Sequence, residues 1–126
     1  LKNLFIAAGE RSPEVDFRFE ERRLALRGEA FPEDAAAFFG PLLRQLAVYC
    51  EAIRGQDLQV ELQMEYFNTS SAKALMNMIQ TLEATARGGT RVVLRWIWQE
   101  GDEVMREFGE DFATELTHVD FQRVQI

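Results

Sequence analysis

Leu58-Gln59-Val60-Glu61-Leu62-Gln63-Met64-Glu65-Tyr66 alternates apolar and polar residues without a break, as expected of a strand with one buried and one polar face. Phe67 and the run Asn68-Thr69-Ser70-Ser71 follow. From Ala72 to Ala86 the period changes: Ala72, Leu75, Met76, Ile79, Leu82 and Ala86 recur at helical spacing, and Gly88-Gly89 supplies a left-handed stop. A strand passing directly into a helix is the start of a crossover, which makes the next strand parallel and sets the class of the chain.

Upstream, Pro32-Glu33-Asp34 reads as a helix start. Phe38, Phe39, Leu42, Leu43, Leu46, Tyr49, Cys50 and Ile53 then keep helical spacing up to Gly55, with Pro41 inside the run as an expected kink or early break. Val15, Phe17 and Phe19, then Leu24 and Leu26, alternate with charged residues around Glu20 to Arg22, which reads as a hairpin. Leu4-Phe5-Ile6 is a short first strand. Downstream, Val92, Leu94, Trp96 and Trp98 share one strand face. Gly101 to Leu116 reads as a third helix with Val104, Met105, Phe108, Phe112 and Leu116 on its apolar side, and Val119 to Ile126 as a last strand. The chain therefore reads as a single α/β domain over residues 1–126. It has two layers, a mixed β-sheet with an N-terminal hairpin, and helices mainly on one face, because strands that keep a polar side are not sandwiched between helices. The other face is open to solvent or to a partner, a second copy of the chain included.

Composition narrows the function. At 126 residues and 47% hydrophobic content there is material for one core. A net charge of -7 leaves no basic stripe for nucleic acid. No apolar run approaches a bilayer span and no basic stretch precedes a hydrophobic signal region, so a cytoplasmic, non-membrane protein is expected. The lone Cys50 suits a reducing compartment. Neither G-x-x-x-x-G-K-[ST] nor G-x-G-x-x-G occurs, and one histidine and one cysteine assemble neither a zinc site nor a Cys-His pair. No cofactor, metal or catalytic residue is expected. His118 reads as a surface or capping residue, and Trp96 and Trp98 as core. The acids Glu100 to Glu103 and Glu107 to Asp111 follow no calcium-loop spacing and read as a solvated helix face; a small hydrolase built on them is the remote alternative.

The start of the middle helix is chemically unusual. Three consecutive hydroxyls follow Asn68, the first acid beyond it is Glu83, and the nearest charge is Lys73. Helix N-termini present unpaired N–H groups and a positive dipole end that favour a negative group, which first-turn acids usually supply. Here none does. A phosphoryl group would fill that role, with Lys73 as its neighbour, although Ser, Thr and Asn at such positions most often serve as plain caps. Tyr66 and Phe67, at the strand end, are candidate anchors for a partner surface.

The stretch Tyr66-Phe67-Asn68-Thr69-Ser70-Ser71-Ala72-Lys73-Ala74-Leu75 resembles the signature of the SiaC-family bacterial regulatory phosphoproteins. Further marks agree: Phe31-Pro32-Glu33 with Phe38-Phe39-Gly40-Pro41, Trp96 followed by Gly101-Asp102, and Met105 followed by Phe108-Gly109-Glu110-Asp111-Phe112. The resemblance implies a STAS-like fold similar to anti-sigma-factor antagonists, with reversible phosphorylation on Thr69 and Asn68, Ser70, Ser71 and Lys73 in support. It also implies a non-enzymatic partner switch in cyclic-di-GMP and biofilm signalling: a GHKL-type kinase adds the phosphate, a PP2C-like phosphatase removes it, and the unphosphorylated form binds and stimulates a diguanylate cyclase. A switch acting on an anti-sigma factor or another kinase is the alternative output. The chain departs from the family's usual residues at Gly9 to Pro13 and at Ala30 to Asp34.

Overall fold

The computed structural model describes all 126 residues. Six strands form one sheet in sequence order: β1 (Leu4–Ile6), β2 (Glu14–Arg18), β3 (Arg23–Ala30), β4 (Asp57–Phe67), β5 (Arg91–Trp98) and β6 (Asp120–Gln125). The first three pair antiparallel, and β3 to β6 run parallel. The connecting helices are α1 (Ala35–Ala52), α2 (Thr69–Arg87) and α3 (Glu103–Ala113). Each crossover advances to the adjacent strand in the same direction. Right-handed crossovers of that kind put every helix on the same side, and all three helices do share one buried cluster with Val15, Leu26, Leu62 and Leu94. The expected α/β architecture with helices on one face is what the chain adopts.

Local chemistry explains the element ends. Asp34 accepts a hydrogen bond from the Ala37 N–H and Asp102 from the Met105 N–H, so a carboxylate caps both α1 and α3. Pro41 neither ends nor splits α1, which continues through it. Tyr49 donates to the Phe19 carbonyl at 2.7 Å, fixing the turn between β2 and β3; Phe19 lies in that turn, not in the strand. Gly109 lets α3 lie against the indole of Trp96. A Cβ there would stand 2.5 Å from Trp96 Cδ1, and the indole N–H donates to the Met105 carbonyl at 2.8 Å.

Two departures from the expected patterns matter for function. The alternation of β4 breaks near its end: Gly28 (φ 115°) pairs with Met64, but Glu29 pairs with Tyr66, so Glu65 is an extra residue. This bulge inverts the phase. Tyr66, expected on the buried face, turns outward, and Phe67 turns into the core against Phe108, Phe112 and Trp96. Along α2 the buried stripe is Ser71, Ala74, Leu75, Met78, Ile79, Leu82 and Glu83, rotated from the expected one, with Ala72, Met76 and Ala86 at its margin. Likewise Val104 faces solvent while Met105 takes the core position on α3.

Candidate functional site

Three segments meet at the carboxyl end of the parallel strands. The Asn68 N–H donates to the Ala30 carbonyl at 3.1 Å, which ties the start of α2 to the end of β3. Phe31, just beyond, packs edge-on against the half-exposed Tyr66 with ring centroids 5.7 Å apart. The Phe31 N–H donates to the Arg11 carbonyl, drawing in the Gly9 to Pro13 loop, and Arg11 pairs with Glu33 at 3.4 Å. The Gly9 to Pro13 loop and the Ala30 to Asp34 segment therefore lie against each other, the latter tied to the start of α2.

Asn68 is the α2 cap: its side-chain oxygen accepts from the Ser71 N–H at 3.0 Å and its carbonyl from the Ala72 N–H at 2.9 Å. This leaves the N–H groups of Thr69 and Ser70 without an intrahelical acceptor. Both side chains are exposed. No acid lies in this first turn. α2 is thus the one helix of the three whose cap is neutral, and its N-terminal dipole is not offset by a carboxylate.

Lys73, one turn into the helix, is exposed and has no ion-pair partner. With Ser70, Asn77, Arg44 and the Glu33-Asp34 pair it lines an open groove of about 620 Å³ between α1 and α2. Arg44 was not singled out by its sequence context, since an exposed helix arginine carries no signal of what it faces. Two expectations change. Ser71 is completely buried with its hydroxyl unpartnered, so only its backbone N–H serves the helix start. Phe67 offers no surface, which leaves Tyr66 as the exposed aromatic of the strand end.

Of the acids of α3, Glu103 and Glu110 come together on the guanidinium of Arg106, which pairs with both. His118 is exposed, as expected of a surface residue, and its ring Nδ1 lies 2.7 Å from the Glu83 carboxylate.

The sequence profile of the SiaC family regulatory phosphoproteins matches residues 6–126. The chain belongs to the SiaC family. An uncharacterised protein of Pseudomonas aeruginosa strain UCBPP-PA14 is 30% identical over 117 residues, covering 93% of this chain and 92% of that one. Apo-SiaC from Pseudomonas aeruginosa superposes with a TM-score of 0.87 at 27% identity, over 98% of this chain and 99% of that one. A chain in the crystal structure of the diguanylate cyclase SiaD in complex with its activator SiaC, from the same species, superposes at 0.91 with 28% identity, again over 98% and 99%. The SiaC family relationship makes this chain a regulatory phosphoprotein whose fold is that of the solved members.

Proposed function

We propose that the chain is a non-catalytic, cytoplasmic switch of one domain that binds and stimulates a diguanylate cyclase when unphosphorylated and is turned off by phosphorylation of Thr69. The observation that carries it is the α2 start, where an exposed threonine hydroxyl stands at a neutral-capped helix N-terminus with no first-turn acid. Likeness to the chain crystallised with SiaD supports a cyclase as the output. A GHKL-type kinase and a PP2C-like phosphatase are the enzymes that family resemblance implies for loading and clearing the site.

The physical consequences follow from charge. A phosphoryl group brings roughly -1.5 to -2 charge and three acceptor oxygens. Beside the free N–H groups of Thr69 and Ser70 it stabilises its own helix end, and Lys73 changes from an unfavourable cation at a dipole's positive end into a counter-charge. The partner sees the opposite effect. A surface that packs on the exposed Tyr66 and the Thr69 methyl would have to desolvate a dianion, so the complex dissociates. The test is kinase treatment followed by site mapping with mass spectrometry and a cyclase-binding assay. Phosphate on Thr69 and its loss in Thr69→Ala, with cyclase binding retained by that variant, is the expected result. Phosphate on another residue, or undiminished uptake by Thr69→Ala, overturns the assignment.

A further inference from the structure

The sheet face turned away from the helices holds a pit that the Thr69 site does not use. It centres on Ala25 of β3, whose register partners Asp16 and Glu61 have much longer side chains, and its volume is about 120 Å³. Four guanidinium groups line it, those of Arg18, Arg23, Arg27 and Arg95, in a chain of net charge -7. The acids nearby are already engaged. Arg27 holds Glu14 at 2.7 Å, Asp16 at 3.4 Å and Glu61 at 3.7 Å, and Arg18 holds Asp16 at 3.2 Å and Glu21 at 3.7 Å.

Arg23 and Arg95 have no carboxylate. Arg23 stands directly across from Arg18 in the β2–β3 ladder, a like-charge pairing that destabilises a sheet. Arg95 donates at 2.9 Å to the side chain of Gln59, a neutral acceptor and the register partner of Arg23. Asp16 and Glu61 also line the pit, and Glu61 stands across the β4–β5 ladder from Arg95, but both acids are held by Arg27. Arg23 and Arg95 thus border the pit around one glutamine without an ion-pair partner of their own. Sites that enclose a whole small molecule run to roughly 300 Å³ or more, so a pit of this size receives a single head group. A guanidinium fork matches a carboxylate's two oxygens. Beside the pit, Phe5 on the edge strand pairs with Asp16 and leaves 63% of its surface exposed, an apolar contact that serves a protein surface and not a free ion.

We propose that this face docks an acidic segment of a protein partner, one carboxylate of which enters the pit between Arg23 and Arg95 while Phe5 supplies apolar contact. The face lies on the opposite side of the sheet from α2, so docking here is independent of phosphorylation at Thr69.

The experiment is a titration of the ¹⁵N-labelled full chain with hexaglutamate, read by amide chemical shifts. Shifts are expected at Ala25, Glu61 and Arg95, with affinity weakened roughly tenfold in the double variant Arg23→Gln/Arg95→Gln, in line with two screened charge pairs. Affinity should be unchanged in Thr69→Glu. Arg23→Lys/Arg95→Lys, which keeps the charge, retains most of the binding and excludes loss of fold as the cause. Shifts confined to other residues, or unaffected by the Gln pair, overturn the proposal. So does inorganic phosphate at matched ionic strength producing the same shifts with equal affinity, which makes the pit a free-anion site. Sedimentation that shows a wild-type dimer dissociated by the Gln pair also overturns it, in favour of a second copy as occupant.

Discussion

Helix α2 has an anion-receptive cluster of backbone N–H groups at its start, and its last turns bear on another. At the far end, the Glu83 carboxylate accepts from the N–H groups of Thr117, His118 and Val119 at 2.9–3.1 Å, from the Thr117 hydroxyl at 2.9 Å and from the His118 ring at 2.7 Å, with Arg87 at 3.5 Å. At the start, the N–H groups of Thr69 and Ser70 have solvent in front of them and no carboxylate bonded to them. The first cluster is filled from within the chain and anchors the entry to β6. The second is open, and under the proposed function a phosphoryl group on Thr69 fills it. One end of α2 is thus tied down by hydrogen bonds within the chain, while the other keeps two N–H groups free of any such bond.

The contrast breaks most visibly at Glu83. Glu83→Ala strips the acceptor from three backbone N–H groups and leaves Val119 N–H buried without a partner. A loss of about 3 to 4 kcal/mol in urea unfolding is expected, together with faster hydrogen exchange at Thr117, His118 and Val119. A loss under about 1 kcal/mol would mean that the loop holds itself and that the two ends of α2 are not different in kind.

Acid provides a second, slightly smaller test without mutation. Burial pushes the Glu83 carboxyl up, but the hydrogen bonds from His118, Val119 and Thr117 outweigh it and bring the pKa from the ordinary 4.5 down to about 2. A folded-state pKa below the unfolded one means stability that is fully present above about pH 4.5 and lost as pH falls toward about 2. At about 1.4 kcal/mol per pKa unit the loss is on the order of 3 kcal/mol. The urea midpoint should fall across that window in the wild type, and by clearly less in Glu83→Gln, which has no carboxyl to protonate.

The two ends also differ in how much of them can be read from the sequence. Alternation in β4 and the helical period after Asn68 suffice for the class, because each period identifies its element, but the buried stripe of α2 is rotated from the one its period suggests. The Asn68 cap and the acid-free turn are equally local and legible. Glu83 is not. An acid in the last turns of an amphipathic helix looks solvated, and its partners lie some 35 residues further on, brought near only when β6 pairs with β5. The bulge at Glu65 was hidden for a related reason: the positive φ of Gly28 on the neighbouring strand accompanies it, while nothing within β4 marks it. Hence Tyr66 and Phe67 exchange roles.

The start of α2 should be tolerant where the other end is not. Asn68→Ala removes one cap hydrogen bond, and a loss of about 1 kcal/mol is expected. Phosphorylated protein should lose less to the same change, since phosphate oxygens can accept from the first-turn N–H groups in place of the amide. Equal losses in the two forms would mean that the phosphate points away from the helix start.

Ser71→Ala sets the smallest effect and the sharpest boundary. The Ser71 hydroxyl is buried and has no hydrogen-bond partner, so it carries a desolvation cost with no compensating bond. Replacing it by a methyl group keeps the backbone N–H on Asn68, removes the buried polar atom and should raise stability by about 0.5 kcal/mol. Kinase-driven phosphate uptake should be unaffected, because the responsive part of the helix start ends at Ser70, on the exposed side. If Ser71→Ala instead slows phosphorylation while the fold is intact, the hydroxyl reaches the site in the kinase complex. The division between a fixed interior and a responsive surface would then run through α2 one residue later than the static structure places it.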